Sequence, residues 1–174
     1  AGPEAGRRML VIGATGGVGM FVVQLAAAAG VEVLATAGPD DFEYARALGA
    51  AEVVDFTAGE VAEDVLRAHP GGVDVVIDLI DSGEEVRRAA RAVRPGGLLV
   101  SSLGGPEDLE GGVRAIYTSM SVEEGDLEDL AGRAAAGTLR VEVSRVYPFA
   151  EAPQAFADFA SQETRGKLVI SVAG

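Results

Sequence analysis

Cysteine is absent from the 174-residue sequence, and histidine occurs only once, at His69. The chain therefore forms no disulfide and no thiolate zinc site, and a single imidazole argues against a site of histidine and carboxylate ligands. His69 precedes the turn signal Pro70-Gly71-Gly72, so we expect an exposed loop residue rather than a ligand or a catalytic base. We predict that no metal is bound.

Basic residues are scarce. Fourteen Lys and Arg stand against 27 Asp and Glu, which gives a net charge of −13. Nucleic acids and anionic membrane surfaces both require a basic face, so neither is an expected partner. No apolar run is long enough to cross a bilayer and no signal peptide is recognisable, so we expect a cytoplasmic protein.

Apolar residues make up 48% of the chain, which is typical of a globular domain, and strand-like and helix-like segments alternate along it. Strands are predicted at 8–13, 31–37, 52–56, 73–79, 98–103 and 114–122, and helices at 17–29, 39–48, 58–67 and 82–93. The strands are short, apolar and β-branched, as in a sheet covered on both faces. The pattern predicts an α/β fold with a doubly wound parallel sheet (Rossmann fold) of about six strands.

After residue 103 the alternation is less regular. We predict a helix at 122–137, a strand at 139–147, a helix at 150–161 and a last strand at 167–172. Val18, Phe21, Val22 and Leu25 are expected on one face of helix 17–29, and Ala155, Phe156, Phe159 and Ala160 are expected inward in helix 150–161. The predicted domains are a nucleotide-binding domain over 1–138 and a strand-helix-strand tail over 139–174.

A glycine-rich turn follows the first predicted strand and opens the first helix. Its residues are Gly13, Ala14, Thr15, Gly16, Gly17, Val18 and Gly19. Free amides and the positive dipole end of a helix bind pyrophosphate when no side chain blocks its approach. Gly16 stands where the backbone would meet the pyrophosphate, and Gly19 would let the helix pack closely on the strand. The turn is a variant of the G-x-G-x-x-G motif, because Ala14 occupies the position of the first glycine. Its place between a strand and a helix supports dinucleotide binding.

The end of the second predicted strand distinguishes the two nicotinamide dinucleotides. An acid there would bind the ribose hydroxyls of NAD, but positions 35–38 contain none. A 2′-phosphate would therefore not be repelled at those positions. However, no base follows until Arg46, and Asp40 and Asp41 lie close by. The charges alone leave both cofactors open.

Five segments together resemble one known family. They are VIGATGGVGMFVVQLAAAAGVEVLATA, ARALGAAEVVDF, GGVDVVIDLI, RPGGLLVSSLG and RGKLVISV. In this order, over nearly the whole chain, they are similar to the medium-chain dehydrogenase/reductase superfamily, in its zinc-free quinone-oxidoreductase-like branch. The resemblance implies an NADPH-dependent reductase that acts on an activated C=C bond or a quinone.

The resemblance also implies which residues contact the cofactor. Gly16 to Gly19 would hold the pyrophosphate, and Thr36 and Ala37 would face the adenosine ribose. Ile80 and Asp81 would lie near the adenine, and Leu103 and Gly104 near the nicotinamide. The complete predicted set is Gly13, Ala14, Thr15, Gly16, Gly17, Val18, Gly19, Thr36, Ala37, Gly38, Phe56, Ile80, Asp81, Leu103 and Gly104. We name no catalytic residue, and we expect Ser101, Ser102 and Tyr117 to be structural.

The sequence departs from the family at the cofactor's 2′-phosphate. Where members often have serine and, a few residues later, lysine, this chain has Gly38 and approximately Asp41, and Phe56 replaces a common tyrosine. NADPH stays favoured over NADH on the resemblance, but these departures weaken that preference. The family's substrate-binding catalytic domain, which precedes the cofactor domain, has no counterpart in this sequence. The tail resembles the segment that returns to that domain, and an exposed edge strand could form a homodimer.

A standalone nucleotide-binding or redox-sensing module without turnover is an alternative. A short-chain dehydrogenase needs Lys four residues after a catalytic Tyr, but Tyr44, Tyr117 and Tyr147 are followed there by Leu48, Ser121 and Glu151. A methyltransferase usually has an acid at the end of the second strand, which Thr36 does not supply.

Overall fold

A computed structural model of the chain describes residues 4–118, 121–161 and 164–172. Six parallel strands form one sheet in the order β3-β2-β1-β4-β5-β6. They are β1 (Arg8–Ile12), β2 (Glu32–Ala37), β3 (Glu52–Asp55), β4 (Val73–Asp78), β5 (Val93–Ser101) and β6 (Arg114–Tyr117). The predicted doubly wound parallel sheet is confirmed. The predicted sixth strand ran to residue 122, but positions 119 and 120 lie outside the described residues.

Four helices cover the sheet: α1 (Gly19–Ala28), α2 (Phe42–Ala47), α3 (Val61–Ala68) and α4 (Val86–Ala90). Short 3-10 turns at Pro39–Asp41 and Gly83–Glu85 precede α2 and α4, where the sequence had predicted longer helices. A further helix, α5 (Asp126–Ala135), follows the sheet.

The last part of the described chain forms a small unit of its own. It consists of β7 (Val143–Pro148), α6 (Ala152–Ala160) and β8 (Lys167–Ser171), and the two strands pair in parallel. This is the predicted strand-helix-strand arrangement, with β7 starting four residues later than predicted. The boundary between domains at residues 138 and 139 stays a prediction.

Alternating side chains of the sheet form two cores, one on each face. Val11 and Val33 pack with Met20 of α1, whereas Leu10 and Leu34 pack with Val65 of α3. Successive side chains of a strand point to opposite faces, so each central strand contributes to both cores. Burial on both faces explains why the middle of each central strand is apolar and its polar residues stand near the ends.

The apolar face predicted for α1 matches its buried side only in part: Phe21 and Val22 are partly buried against the core. Its buried residues are Gly19, Met20, Val23 and Ala26, whereas Val18, just before the helix, is 57% exposed. Nearly every position of this helix is apolar, so no polar face marks which side meets solvent. The helix orientation follows from the close approach of Gly19 to the preceding turn.

The predicted inward face of α6 was wrong. Only Ala155 is buried, while Phe156 and Phe159 are 69% and 68% exposed and Ala160 is exposed. The helix packs on the two-stranded sheet through its small residues, and the two rings project away from it. The described chain provides no second layer to cover them.

Two further expectations differ from the structure. The fifth strand begins at Val93 and runs through Pro95, with a register shift against β4 between Val73 and Val75, so the preceding helix is shorter than predicted. His69 is only 13% exposed, and its Nε2 lies 3.0 Å from Oε2 of Glu52. It ends α3 beside β3 instead of standing free in a loop.

No described helix has the length and apolar character needed to cross a membrane. Strand β6 lies at one edge of the large sheet, and its Ile116 is 48% exposed. A homodimer formed through an exposed edge strand stays a prediction.

Candidate functional site

The glycine turn lies at the centre of the sheet. It joins the carboxyl end of β1 to α1, and β1 is flanked by β2 on one side and β4 on the other. The chain moves outward from β1 to β3 and then returns to β4, so the strand order reverses beside this turn. In open parallel sheets, ligands bind outside the carboxyl ends of the strands at such a reversal.

Two backbone amides of the turn are free to bind a ligand. The Gly16 amide donates to the Gly13 carbonyl at 3.2 Å and is used within the turn. The Gly17 amide is set against the Gly166 carbonyl by the parallel bridge between Gly16 and Gly166. Among the residues that the structure describes, none accepts a hydrogen bond from the amides of Val18 or Gly19. They lie at the positive end of α1, whose first turn has no acidic side chain. This arrangement suits an anionic group.

The glycines of the turn have different steric roles. A Cβ on Gly19 would overlap the carbonyl oxygen of Gly13 and lie 2.7 Å from the Cα of Ala14. A Cβ on Gly16 would contact only the Gly13 oxygen, at 3.4 Å. Gly19 is thus required for close packing of α1 on the turn. Gly16 instead leaves space on the side open to ligand.

A cleft of about 1060 Å³ opens from the turn across the ends of β1, β2 and β4. Eight of the fifteen predicted site residues line it: Gly13, Thr15, Gly16, Thr36, Gly38, Phe56, Ile80 and Asp81. The other seven do not line it: Ala14, Gly17, Val18, Gly19, Ala37, Leu103 and Gly104. Ala14 and Ala37 have fully buried side chains, and Leu103 and Gly104 follow the more distant strand β5.

Thr36 has a structural role that the sequence did not predict. Its side-chain oxygen accepts a hydrogen bond from the Gly13 amide at 3.1 Å, and the residue is buried. It therefore fastens the glycine turn to the end of β2. The side chains of Phe56 and Ile80 also line the cleft and are 55% and 46% exposed. They give it an apolar surface suited to a flat aromatic group.

Asp78, at the end of β4, is a buried carboxylate. Its Oδ1 accepts hydrogen bonds from the amides of Ile80 and Asp81 at 3.0 and 2.9 Å, while its Oδ2 has no partner among the described residues. Burial raises the pKa of Asp78, and burial together with the neighbouring Asp78 carboxylate raises the pKa of Asp81. Asp78 thereby holds the backbone turn that carries Ile80 into the cleft.

Polar groups after β5 are used within the protein. The Ser101 hydroxyl accepts from the Leu103 amide at 3.1 Å, and the Tyr117 hydroxyl donates to the Pro106 carbonyl. The Gly104 carbonyl accepts from the Gly83 amide at 3.2 Å. These contacts agree with the structural roles expected for Ser101 and Tyr117.

The tail forms one wall of the cleft, which the sequence did not predict. Its lining residues are Glu142, Ser144, Ser161, Thr164 and Arg165. The Gly166 amide donates to the Thr15 carbonyl at 2.8 Å, and Gly166 pairs with Gly16 in a single parallel bridge.

A further contact holds the tail against α1. The Gln24 side chain both donates to and accepts from the backbone of Arg140, at 3.0 and 2.7 Å. The only lysine of the chain, Lys167, places its Nζ 3.1 Å from where a Cβ of Gly17 would lie. The tail therefore brings a positive charge to the free amides.

Comparison with known proteins identifies the family. The family model described as zinc-binding dehydrogenase matches residues 48–170. The chain belongs to this family and, with its relatives, to the quinone-oxidoreductase-like medium-chain dehydrogenase/reductases, which confirms the resemblance found in the sequence. It corresponds to their C-terminal cofactor-binding region. The described residues contain no cluster of three or more potential metal ligands.

Three similar proteins illustrate this assignment. Mouse mitochondrial NAD(P)H oxidoreductase RTN4IP1 is 30% identical over 96% of this chain and 48% of its own length. The quinone oxidoreductase from Coxiella burnetii is 28% identical, with a TM-score of 0.84 over 98% of this chain and 54% of its own. The CurK enoyl reductase is 27% identical, with a TM-score of 0.81 over 97% of this chain and 55% of its own. The chain thus spans about half the length of each.

The packing role assigned to Gly19 can be tested by adding one methyl group. We expect Gly19→Ala to lower the free energy of unfolding by about 3 kcal/mol, because the new Cβ must displace backbone atoms of the turn. Urea denaturation measures the change. Gly16→Ala is the matched control and should cost less than about 1 kcal/mol. Equal stability of the two variants would contradict the steric argument.

The buried charge of Asp78 predicts a pH dependence. Its folded pKa lies above its unfolded value, so ionisation costs stability as the pH rises from the unfolded pKa through the folded one. Asp78→Asn retains an oxygen for the two amides and removes the charge. Relative to the unaltered chain, this variant should therefore gain stability as the pH rises above the unfolded pKa of about 4. Denaturation curves at a series of pH values measure the difference.

Asp74, at the other end of β4, provides a control of opposite sign. The Arg8 amide bonded to its carboxylate holds the pKa of Asp74 below its usual value. Its ionised form stabilises the fold, and this contribution is lost as the pH falls through the folded pKa. Asp74→Asn should therefore lose stability relative to the unaltered chain as the pH rises. If the stability difference between Asp78→Asn and the unaltered chain did not change with pH, burial would not destabilise the ionised Asp78 carboxylate.

Proposed function

We propose that this chain binds a nicotinamide dinucleotide in the cleft, with NADPH favoured over NADH. The observation that carries the proposal is the pair of amides at Val18 and Gly19, which have no acceptor among the described residues and stand at the start of α1, close after Gly16, which lines the cleft. The pyrophosphate would lie on these amides, with Lys167 nearby. A cleft of about 1060 Å³ is large enough for such a ligand.

The remaining parts of the cofactor would follow the ends of the strands. The adenine would lie between the apolar surfaces of Phe56 and Ile80, beyond β3 and β4, and the ribose near Gly38. The nicotinamide would extend toward Leu103 and Gly104, after β5. The names of the mouse, Coxiella and CurK proteins support an NAD(P)H-dependent reductase with quinone or enoyl substrates.

When bound, the cofactor supplies a hydride for reduction of an activated C=C bond or a quinone. The residues of this chain bind and orient it. The free amides hold its phosphates, and Thr36 keeps the turn in place through the Gly13 amide. We assign no proton transfer to this chain; the hydroxyls of Ser101 and Tyr117 are engaged with backbone groups.

The substrate site would be completed by an N-terminal catalytic domain. The chain spans about half the length of the relatives compared, which leaves room for such a domain in the whole protein. The exposed rings of Phe149, Phe156 and Phe159 form apolar surface on the tail that this domain would cover.

Calorimetric titration of the chain with NADPH, NADH and S-adenosylmethionine tests the proposal. We expect NADPH to bind with a Kd on the order of micromolar, NADH more weakly, and S-adenosylmethionine not at all. Gly16→Asp should abolish nicotinamide cofactor binding, because it places a carboxylate beside the pyrophosphate.

Gly132→Asp is the matched control, since Gly132 lies in α5 with open space around it and the substitution adds the same charge. Its affinity should equal that of the unaltered chain. An absence of heat with both nicotinamide cofactors, or unchanged affinity in Gly16→Asp, would refute the proposal. Binding without reductase activity in the whole protein would instead favour a binding module without turnover.

A further inference from the structure

The cleft is acidic for a site that is to hold phosphates. Its described lining carries Asp40, Asp41, Glu60, Asp81 and Glu142 but only two arginines, Arg88 and Arg165. The positions of these two guanidinium groups therefore determine where an additional anionic group can be held. They lie on different elements: Arg88 belongs to α4, and Arg165 to the segment before β8.

Arg165 is held in one place by two kinds of contact. Its Nε donates to Oδ1 of Asp41 at 2.8 Å, and its terminal nitrogen bonds to the same oxygen. Its guanidinium carbon lies 4.7 Å from the centre of the Tyr44 ring, which is itself buried. A guanidinium fixed by an ion pair and a ring loses little freedom when it binds a phosphate.

This position is beside the end of β2. Asp41 closes the 3-10 turn that follows the strand, and its amide bonds to the Gly38 carbonyl at 2.9 Å. The end of the second strand is where Rossmann sheets contact the adenosine ribose, and a nearby arginine accommodates a 2′-phosphate there. Positions 35–38 offer no cation, so the tail brings one from the far end of the chain.

We propose that Arg165 recognises the 2′-phosphate of NADP(H) and that Asp41 opposes this by holding Arg165 and repelling the phosphate. The inference rests on the dinucleotide binding proposed above and adds the residues that set cofactor preference. With NAD(H), the ion pair stays intact. With NADP(H), the phosphate takes the guanidinium's hydrogen bonds against competition from the Asp41 carboxylate.

The separate effects of Arg165 and Asp41 can be measured by calorimetry, as the affinities of the chain for NADP⁺ and NAD⁺. No reaction is needed. Arg165→Gln should weaken NADP⁺ binding by about tenfold or more and change NAD⁺ binding by less than about twofold. Asp41→Asn should tighten NADP⁺ binding by about threefold or more and leave NAD⁺ binding similarly unchanged.

Two variants serve as controls. Arg88→Gln removes the other cation of the same cleft, and Arg145→Gln removes a tail arginine that pairs with Asp158 outside it. Both should change the ratio of NADP⁺ to NAD⁺ affinity by less than about twofold. Adenosine 2′,5′-bisphosphate, compared with adenosine 5′-monophosphate, should show the same dependence on Arg165 as the whole cofactors.

Equal weakening of NADP⁺ and NAD⁺ in Arg165→Gln would overturn the inference and leave Arg165 as a contact that only positions the tail. A larger effect of Arg88→Gln on the affinity ratio would also overturn it. If Arg165→Gln does not fold, Asp41→Asn decides, and an unchanged NADP⁺ affinity in that variant refutes the inference. If the unaltered chain binds neither cofactor, the proposed function itself fails.

Discussion

The close contact between the start of α1 and the turn that precedes it is the constraint on which the rest of the site depends. Gly19 lies so near the Gly13 carbonyl that no side chain fits there. This contact sets the position of α1 on the sheet, and the amides of Val18 and Gly19 at its start have no acceptor among the described residues. The binding surface is therefore made by backbone, and the side chains around it serve mainly to hold that backbone.

Supporting contacts reach the turn from both sides. Thr36 binds it from β2, and Asp78 orders the neighbouring turn after β4, which brings Ile80 against Gly13. From the tail, Gly166 bonds to the Thr15 carbonyl. The tail thus belongs to the cofactor cleft as much as to any surface that faces a catalytic domain, and it supplies one of the two arginines that line the cleft, Arg165.

The sequence predicted the parts of this structure that depend on local patterns. The parallel sheet followed from short β-branched strands, and the glycine turn from its position between a strand and a helix. The buried side of α1 was predicted only in part because a helix that is apolar all round has no pattern to reveal its inner face. The exposure of Phe156 and Phe159 was missed because an apolar stripe does not show whether a partner is present in the same chain.

The tail's role in the cleft was missed for a different reason. Gly166 and Arg165 meet Thr15 and Asp41 across almost the whole sequence, and local patterns carry no information about such pairing. The segment RGKLVISV did contribute to the family resemblance, but its charged residues had no assigned partners. Only the fold shows that they return to the ends of β1 and β2.

The central claim is that backbone amides of the turn bind the paired phosphates of the cofactor. Titration of the ¹⁵N-labelled chain with inorganic pyrophosphate and with NADP⁺, followed by amide chemical shifts, tests it most directly. The account predicts that the amides of Val18 and Gly19 shift together with both ligands and more than those of the exposed helix α5. Shifts elsewhere in the chain that leave these two amides unchanged would contradict it.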